Sequence, residues 1–246
     1  MKTGSTLPGE SGNPARLNWP TLLEGTLIGR YKRFLADVRL NNRRKVTAHC
    51  PNSGSMAGCS EAGRRVYLSR QNNPKRKLPY TWEMIKMPSS LVGVNTLIPN
   101  RLAAAGVLAG AIPELSGFTR LRTEVRYGEN SRIDLLLDQP ASLCYVEVKN
   151  CTLVEEGVAF FPDAVTSRGK KHLLELQEQV RRGYRAVMFF LIQRTDASTF
   201  RPADRIDPAY GKELRKAVGN GVEAIAYDVK LDLEGIELHR PLPVEL

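Results

Sequence analysis

The sequence has few of the features that mark membrane, zinc-binding or exported proteins. None of its apolar runs reaches the roughly 18 residues that a membrane-spanning helix needs, so we expect no contact with a membrane. The four cysteines have no CxxC spacing and only three histidines accompany them, which disfavours a zinc site. Without an export signal we expect reduced cysteines and a cytoplasmic protein, with association with the nucleoid as an alternative.

The sequence also lacks the glycine-rich and nucleophile motifs of several large enzyme classes. We find no G-x-x-x-x-G-K-[ST], no G-x-G-x-x-G and no G-x-S-x-G. An enzyme that acts on a sugar or a sugar phosphate is therefore without support. The hydrophobic fraction of 42% is ordinary for a folded globular protein.

Positive charge is concentrated in the first third of the chain. Residues 1–90 hold sixteen Lys and Arg against five Asp and Glu, a net charge of +11, whereas residues 91–246 are close to neutral at −1. Such asymmetry indicates a module that binds a polyanion, joined to a near-neutral domain. A solubilising surface is the alternative, but the aromatic residues among the charges favour a nucleic acid.

We predict a tail followed by a β-rich domain in this basic part. Residues 1–15 are rich in Gly, Ser and Pro and indicate a flexible tail. Within residues 16–96, short segments of β-forming residues are separated by Gly, Asn, Ser and Pro turns. These segments are residues 25–40, 45–50, 65–70, 80–86 and 91–95. Five short strands without an intervening helix are typical of an OB-like barrel.

Two stretches of this domain interleave positive charge with aromatic rings. They are RYKRF at residues 30–34 and NNPKRKLPYTW at residues 72–82. Cations attract phosphate and exposed rings stack on unpaired bases, so both stretches are candidates for nucleic-acid binding. The candidate residues are Arg30, Lys32, Arg33, Lys75, Arg76, Lys77, Tyr80 and Trp82. For the rings of Phe34, Tyr80 and Trp82 the alternative is a place in the barrel core.

Residues 97–246 predict a second domain of the α/β class. Helices are predicted over residues 99–112 and 166–182, and Asp207 followed by Pro208 indicates the start of a third. Strands are predicted over residues 120–127, 132–138, 143–151, 186–193, 222–231 and 235–242. The order helix, three strands, helix, strand predicts a mixed sheet.

Three ionisable residues are predicted to meet on two strands of this domain. Asp134 lies in RIDLLL, while Glu147 and Lys149 lie in YVEVKN, where strand alternation puts them on one face. Two carboxylates at short range repel unless a cation lies between them, which predicts a Mg²⁺ or Mn²⁺ site on Asp134 and Glu147. Lys149 would hold the attacking water or neutralise charge on a phosphate, so all three are candidate catalytic residues. The alternative is a surface Glu–Lys cross-strand pair.

Charged residues near this site extend the prediction. Arg168, Lys171 and His172 share the face of the 166–182 helix that is opposite its leucine stripe. That face is predicted to contact phosphate, with an ordinary solvated face as the alternative. Glu124, in the preceding strand, is a candidate for an extra acid.

Several strings of the sequence resemble the sugar fermentation stimulation protein A family of bacteria and archaea. They are RYKRFLADV (30–38), HCPNSGSM (49–56), NPKRKLPYTWE (73–83), VNT (94–96), SRIDLLL (131–137), YVEVKNCTL (145–153) and FPDAVTSRG with KHL (161–173). The resemblance implies DNA binding, with an OB-like domain before a PD-(D/E)XK restriction-endonuclease-like domain. The resemblance implies that Asp134, Glu147 and Lys149 are the acidic residues and the lysine of that motif, although Ile133 occupies the position of the motif's proline.

Two functions follow from these observations. The first is a DNA-binding regulator linked to sugar metabolism, which retains a nuclease-like metal site. The second is a Mg²⁺-dependent nuclease that cleaves DNA or RNA. Both use the basic module, both are compatible with a homodimer, and they differ in whether the three residues carry out hydrolysis.

Overall fold

The computed structural model describes residues 15–128 and 131–246. The tail predicted over residues 1–15 therefore lies, except for Ala15, outside the described residues. In these two ranges the chain forms a β-barrel followed by a mixed α/β domain, and the predicted fold class is confirmed. None of the helices described is long and apolar enough to cross a membrane.

The barrel is built from strands that differ in how far they are buried. After a short first strand, β1 (Arg16–Asn18), come β2 (Leu22–Tyr31), β3 (Leu35–Leu40), β4 (Lys45–His49), β5 (Arg65–Arg70), β6 (Tyr80–Lys86) and β7 (Leu91–Gly93). Strands β3 and β4 alternate more and less buried residues, whereas β5 and β6 are buried over most of their length. Strands β4, β3, β2, β5 and β6 follow one another in the sheet, and β4 also pairs with β6. This last pairing closes five strands into the OB-like barrel, because it leaves neither β4 nor β6 as a free edge.

Residues 25–40, predicted as a single segment, form the hairpin of β2 and β3. Lys32 and Arg33 occupy its turn with φ angles of 48° and 62°. Two successive left-handed residues match the twist of a tight hairpin, which usually prefers Asn or Gly there. The chain therefore reverses direction in the middle of RYKRF, although this string contains no glycine or proline that would predict a turn.

The α/β domain contains three helices and nine strands in the range after residue 96. They are α1 (Ile98–Leu108), β8 (Arg120–Tyr127), β9 (Ser131–Gln139), β10 (Ser142–Cys151), β11 (Leu153–Glu155), β12 (Val158–Phe161), α2 (Ser167–Arg181), β13 (Arg185–Ile192), β14 (Thr199–Pro202), α3 (Pro208–Gly219), β15 (Glu223–Leu231) and β16 (Gly235–Leu242). All predicted helices and strands of this domain are present. The sequence prediction missed β11, β12 and β14, which form a separate three-stranded sheet.

The main sheet has seven strands in the order β1-β16-β15-β13-β10-β9-β8. Strand β13 is parallel to both β10 and β15, and the other neighbours are antiparallel. The first strand corrects the prediction for residues 16–96, because β1 pairs with β16 and not with the barrel. Arg16 reinforces this pairing through a hydrogen bond of 2.8 Å to Asp232.

The two faces of the sheet support two hydrophobic clusters. One cluster includes Leu102 and Val107 of α1, and the other includes Leu173 and Leu176 of α2. Strand β13 contributes alternately to both clusters and is buried over nearly its whole length, as a continuously apolar central strand should be. The sheet is thus held rigidly between helices, which fixes the strand ends that carry the polar residues described next.

Candidate active site

Asp134 and Glu147 lie side by side on neighbouring antiparallel strands. Leu135 of β9 is opposite Val146 of β10, and the two acidic residues are the next along each strand. The Asp134 carboxylate is fixed from two directions: its Oδ2 accepts a hydrogen bond from the backbone N–H of Val148 at 2.7 Å, and its Oδ1 accepts one from Asn100 at 2.7 Å. The strand pairing and α1 thus position Asp134 together.

Glu147 is held by two side chains that both use the same oxygen. Lys149 Nζ donates to Glu147 Oε1 at 2.6 Å, and His172 Nδ1 contacts the same atom. Arg168 Nε donates to His172 Nε2 at 3.4 Å, so the hydrogen-bond pattern places the ring proton on Nδ1. In this tautomer His172 Nδ1 donates to Glu147 Oε1. The other carboxylate oxygen, Oε2, is buried and has no hydrogen-bond partner among the described residues.

The two carboxyl groups have different protonation equilibria. Burial, and then the charge of Glu147, raise the pKa of Asp134 to about 6. Burial also opposes ionisation of Glu147, but Lys149 and His172 outweigh it and lower the pKa of that carboxyl. Glu147 is therefore charged at neutral pH beside a second carboxylate that is close to titration, and a bound cation would relieve their repulsion.

The donor set suits a hard divalent ion that keeps part of its water shell. Across residues 15–128 and 131–246, no group of three or more His, Cys, Asp and Glu side chains is arranged to hold a metal. Mg²⁺ is nevertheless commonly bound through one or two carboxylates, with waters and substrate phosphates as its remaining ligands. Asp134 and the unpaired Oε2 of Glu147 would supply these carboxylate ligands. Both ligands are oxygens, which Mg²⁺ prefers.

A groove with two adjoining cavities is lined by Asp134, Lys149 and His172, with Glu147 buried behind them. The first, of about 690 Å³, is bordered by Asp134, His172 and Glu124. The second, of about 620 Å³, begins at Lys149 and extends to the barrel. Both cavities share Thr96, Asn100 and Arg168 in their walls, so they lie next to each other. Glu124 is exposed at its border, and its part as an extra acid stays a prediction.

The predicted face of α2 divides between the site and the groove. His172 is buried against Glu147, whereas Arg168 and Lys171 line the first cavity. Lys171 also lies 3.6 Å from Glu175, which in turn accepts a hydrogen bond from Ser131. The helix thus supplies one residue that orients a carboxylate and two cations that face the groove.

Arg30 is held by the backbone of a neighbouring loop. Its guanidinium donates to the backbone oxygens of Asn52 at 2.9 Å, Gly54 at 2.8 Å and Ser55 at 3.1 Å, and to that of Arg33 at 3.0 Å. Arg30 also lines the second cavity, and its contact with phosphate stays a prediction. The next cation, Arg33, lines the second cavity.

The prediction that the rings of Trp82 and Tyr80 stack on unpaired bases is wrong. Trp82 has no exposed surface and donates its indole N–H to Met84 O, and Tyr80 is buried beside it in the barrel core. A five-stranded barrel needs large residues inside, and this requirement decided between the two alternatives. Tyr31 and Phe34 are the exposed rings, at 41% and 48%, on either side of the hairpin turn.

The remaining basic candidates lie on exposed turns of the barrel. Lys32 and Arg33 are exposed in the hairpin, Lys75 and Lys77 are exposed in the loop before β6, and Arg76 is half-buried there. Burial, and then the charge of Arg76, lower the pKa of His49 at the end of β4. Contact of these cations with phosphate stays a prediction.

Comparison with known proteins identifies the family. Residues 97–235 match the family profile described as the sugar fermentation stimulation protein RE domain, and residues 28–94 match the SfsA N-terminal OB domain. The chain belongs to the sugar fermentation stimulation protein family. The homolog of Geobacter sulfurreducens is 58% identical over 223 residues, covering 91% of this chain and 96% of the relative. The homolog of Geotalea daltonii is 55% identical over 227 residues, covering 92% and 98%.

A solved structure of the sugar fermentation stimulation protein family has the same fold. Pyrococcus furiosus SfsA, in complex with Ca²⁺, superposes with a TM-score of 0.87 at 26% identity, covering 94% of this chain and 98% of that one. The resemblance that the sequence strings indicated is therefore confirmed. Two of those strings, HCPNSGSM and FPDAVTSRG, supply lining residues of the second cavity.

Sequence reasoning missed residues that belong to the site through tertiary contacts. Asn100 holds Asp134 from α1, and Asp163 anchors the barrel loop through Met56 N at 2.8 Å. Neither residue carries a motif that points to its partner, which lies 34 positions away for Asn100 and 107 for Asp163. The polar residues of PNR (99–101) and FPD (161–163) were the available signal, but they do not indicate which residues they contact.

Proposed function

We propose that this protein binds DNA in the groove between its barrel and its α/β domain and hydrolyses a phosphodiester bond there with the help of Mg²⁺ or Mn²⁺. The observation that carries this proposal is the adjacent pair Asp134 and Glu147, with Lys149 bonded to one of them at the floor of the groove. RNA is a related substrate that the same groove chemistry would accept.

Asp134 and Glu147 would hold the divalent ion in this proposal. A bound ion supplies Lewis-acid chemistry, because it polarises a phosphate and lowers the pKa of a coordinated water. The relative from Pyrococcus furiosus was solved with Ca²⁺, and this supports a divalent ion in the family, although Mg²⁺ and Mn²⁺ are our inference for this chain. His172 orients Glu147 so that Oε2 stays available for the ion.

Lys149 would act on the reacting groups in the groove. Hydrolysis forms a bond between the oxygen of water and phosphorus, and breaks the bond between phosphorus and a sugar oxygen. The water loses a proton to solvent, and the departing sugar oxygen takes one up. The Lys149 ammonium lines the second cavity, where it can orient the water or neutralise the charge that grows on the phosphate.

Positive charge around the groove would position the nucleic-acid backbone. Arg33 comes from the barrel, whereas Arg168 and Lys171 come from α2, and all three line the cavities. Each phosphate neutralised by such a residue releases counterions, so we expect an affinity for DNA that falls steeply as the salt concentration rises.

A second candidate is a regulator that binds DNA without cleaving it. The relatives carry the name sugar fermentation stimulation protein homolog, which supports a part in the control of sugar metabolism. Control of that kind needs binding and no hydrolysis. The groove and its cations would serve this function equally, with the carboxylate pair as a structural metal site.

Incubation with nucleic acids in the presence of metal separates the two candidates. Purified protein is mixed with plasmid, single-stranded DNA and RNA in Mg²⁺, Mn²⁺ or EDTA. A nuclease cleaves in metal and is inactive in EDTA, and Lys149→Ala abolishes cleavage while it still binds the ion. Lys212→Ala, an exposed lysine on α3, is the matched control and keeps full activity. Binding without cleavage in every condition would reject the nuclease and retain the regulator.

A further inference from the structure

The second cavity has the size of a site for one small ligand and lies directly beside Lys149. Its volume of about 620 Å³ falls within the roughly 300–1,000 Å³ of pockets that enclose a small molecule. A single nucleotide is a ligand of this size. Because Asn100 and Arg168 also line the cavity beside Asp134, an occupant would lie next to any phosphate held there.

Contacts between the barrel and the α/β domain lie in the wall of this cavity. Ser55 Oγ donates to Asp163 O at 2.6 Å, and Met56 N donates to Asp163 Oδ2 at 2.8 Å. We call these two bonds the latch. A Cβ atom on Gly54 would lie 2.8 Å from the Asp163 carboxylate, so any larger residue there would have to displace that side chain from the latch. The latch therefore keeps the barrel loop and the α/β domain in close contact in the wall of this cavity.

The lining of the cavity combines cations with apolar and aromatic residues. Cations are contributed by Lys149, Arg168 and Arg33. The same lining includes Phe160, Pro162 and Val165, and Val165 is 78% exposed although it is apolar. A nucleotide in this cavity would thus have cations for its phosphate and apolar or aromatic groups for its base, and base contact with such groups is a general means of holding unpaired nucleotides.

We infer that this cavity is a subsite for one unpaired nucleotide, so that the substrate is single-stranded DNA, a strand end or a base turned out of a duplex. The inference rests on the proposed function, since it names the form of nucleic acid that the groove accepts. A base inside an intact duplex cannot enter a pocket of this size unless it is first unstacked and unpaired. Ser53 and Asn150 of the same lining offer polar groups that could meet the edges of that base.

The test compares binding of different DNA forms by a variant that cannot cleave. Asp134→Asn protein is titrated with a fluorescent single strand, a blunt duplex and the same duplex with a single mismatch that contains 2-aminopurine. The single strand should bind about tenfold more tightly than the blunt duplex at the same salt concentration, as one stacked base contributes roughly that factor. The 2-aminopurine fluorescence should change on binding, because the base leaves the helix stack.

A substitution of Val165, the exposed apolar residue of the cavity lining, tests whether this cavity causes the preference for the single strand. Val165→Asp, made in the same Asp134→Asn protein, should reduce the preference for the single strand to about twofold or less and remove the 2-aminopurine signal. Leu233→Asp is the matched control, because Leu233 is also an exposed apolar residue, at 49%, and lines neither cavity. It should keep the full preference.

The outcomes distinguish this inference from the proposed function. Equal, salt-dependent affinity for single and double strands would overturn the subsite and leave groove binding intact. A preference that persists unchanged in Val165→Asp would also overturn it. Binding to none of the DNA forms would overturn the proposed function, and the subsite with it.

Discussion

At the scale of single residues, the neighbours of His172 determine its role in the site. A sequence pattern placed it on a helix face for contact with phosphate, whereas the structure buries it against Glu147. Helical spacing gives the face of a residue but not the depth at which that face packs. His172 is therefore a positioning residue, which contacts the same Glu147 oxygen as Lys149.

We predict that His172→Ala weakens Mn²⁺ binding about 10- to 100-fold, because loss of a residue that orients a ligand typically has this effect. His172→Gln retains a side-chain N–H and should restore most of the affinity. Calorimetric titration measures both constants, and melting curves show whether the variants fold. A His172→Ala protein with unchanged affinity for Mn²⁺ would contradict the positioning role.

Glu83 provides a pH-dependent test at the level of one residue, away from the carboxylate pair. It is buried and accepts hydrogen bonds from Ser69 at 2.6 Å and Asn95 at 2.7 Å, yet burial raises its pKa above the ordinary value. A raised carboxyl pKa means that the folded state holds the proton more tightly than the unfolded state. Its contribution to stability is present below the unfolded pKa and is lost as pH rises through the folded pKa.

Glu83→Gln should therefore flatten part of the decline in stability between about pH 4.5 and neutrality. The free energy of unfolding of variant and wild type, measured by urea titration across this range, should diverge in favour of the variant as pH rises. Parallel curves would show that Glu83 titrates alike in the folded and unfolded protein.

At the scale of elements, the sequence predicted helices and main-sheet strands well because their patterns are local. Leu173 and Leu176 mark the buried stripe of α2, and the unbroken apolar run of β13 identifies a central strand. The hairpin turn at Lys32 and Arg33 has no local signal, since the residues adopt positive φ without glycine. The pairing of β1 with β16 joins chain ends more than 200 positions apart, which no local pattern encodes.

Asp207 connects the starts of two helices and gives a prediction at this scale. Its Oδ1 accepts from Tyr210 N at 2.9 Å as the cap of α3, and its Oδ2 accepts from Thr166 N, the cap residue of α2, at 2.8 Å. Asp207→Ala should lower the free energy of unfolding by about 1–3 kcal/mol, because both buried N–H groups lose their partner. Denaturant titration measures this difference.

Asp204→Ala is the control for that measurement, since Asp204 forms an exposed ion pair with Arg215. It should cost less than about 1 kcal/mol. If both variants are equally stable, the capping role of Asp207 is contradicted.

The basic loop before β6 gives a second prediction at the scale of elements. Replacing Lys75, Arg76 and Lys77 with alanine should weaken binding to every DNA sequence and make the plot of log affinity against log salt less steep. Each lost phosphate contact should remove about 0.9 from that slope. The matched control carries alanine at three exposed lysines elsewhere: Lys212, Lys216 and Lys230. Equal slopes for the two triple variants would remove the loop from the interface.

At the scale of the whole molecule, the positive charge and the candidate metal ligands come from different parts of the chain. The net charge of +11 in residues 1–90 belongs with the barrel, yet the carboxylates lie in the α/β domain. The latch at Asp163 and the shared walls of the cavities bring the two parts together. The sequence indicated each part separately. Their relation depends on contacts such as Ser55 with Asp163, which only the folded chain defines.

The central claim is that Asp134 and Glu147 form a divalent-ion site on which the action on DNA depends. Calorimetric titration of Mn²⁺ into the wild-type protein, with and without a DNA analogue that resists cleavage, tests it most directly. We predict one ion per chain, bound more tightly when the DNA phosphate supplies a further ligand, and loss of this binding in Asp134→Asn and Glu147→Gln. Absence of Mn²⁺ and Mg²⁺ binding by the wild type in both conditions, or unchanged binding in the two variants, would contradict the claim.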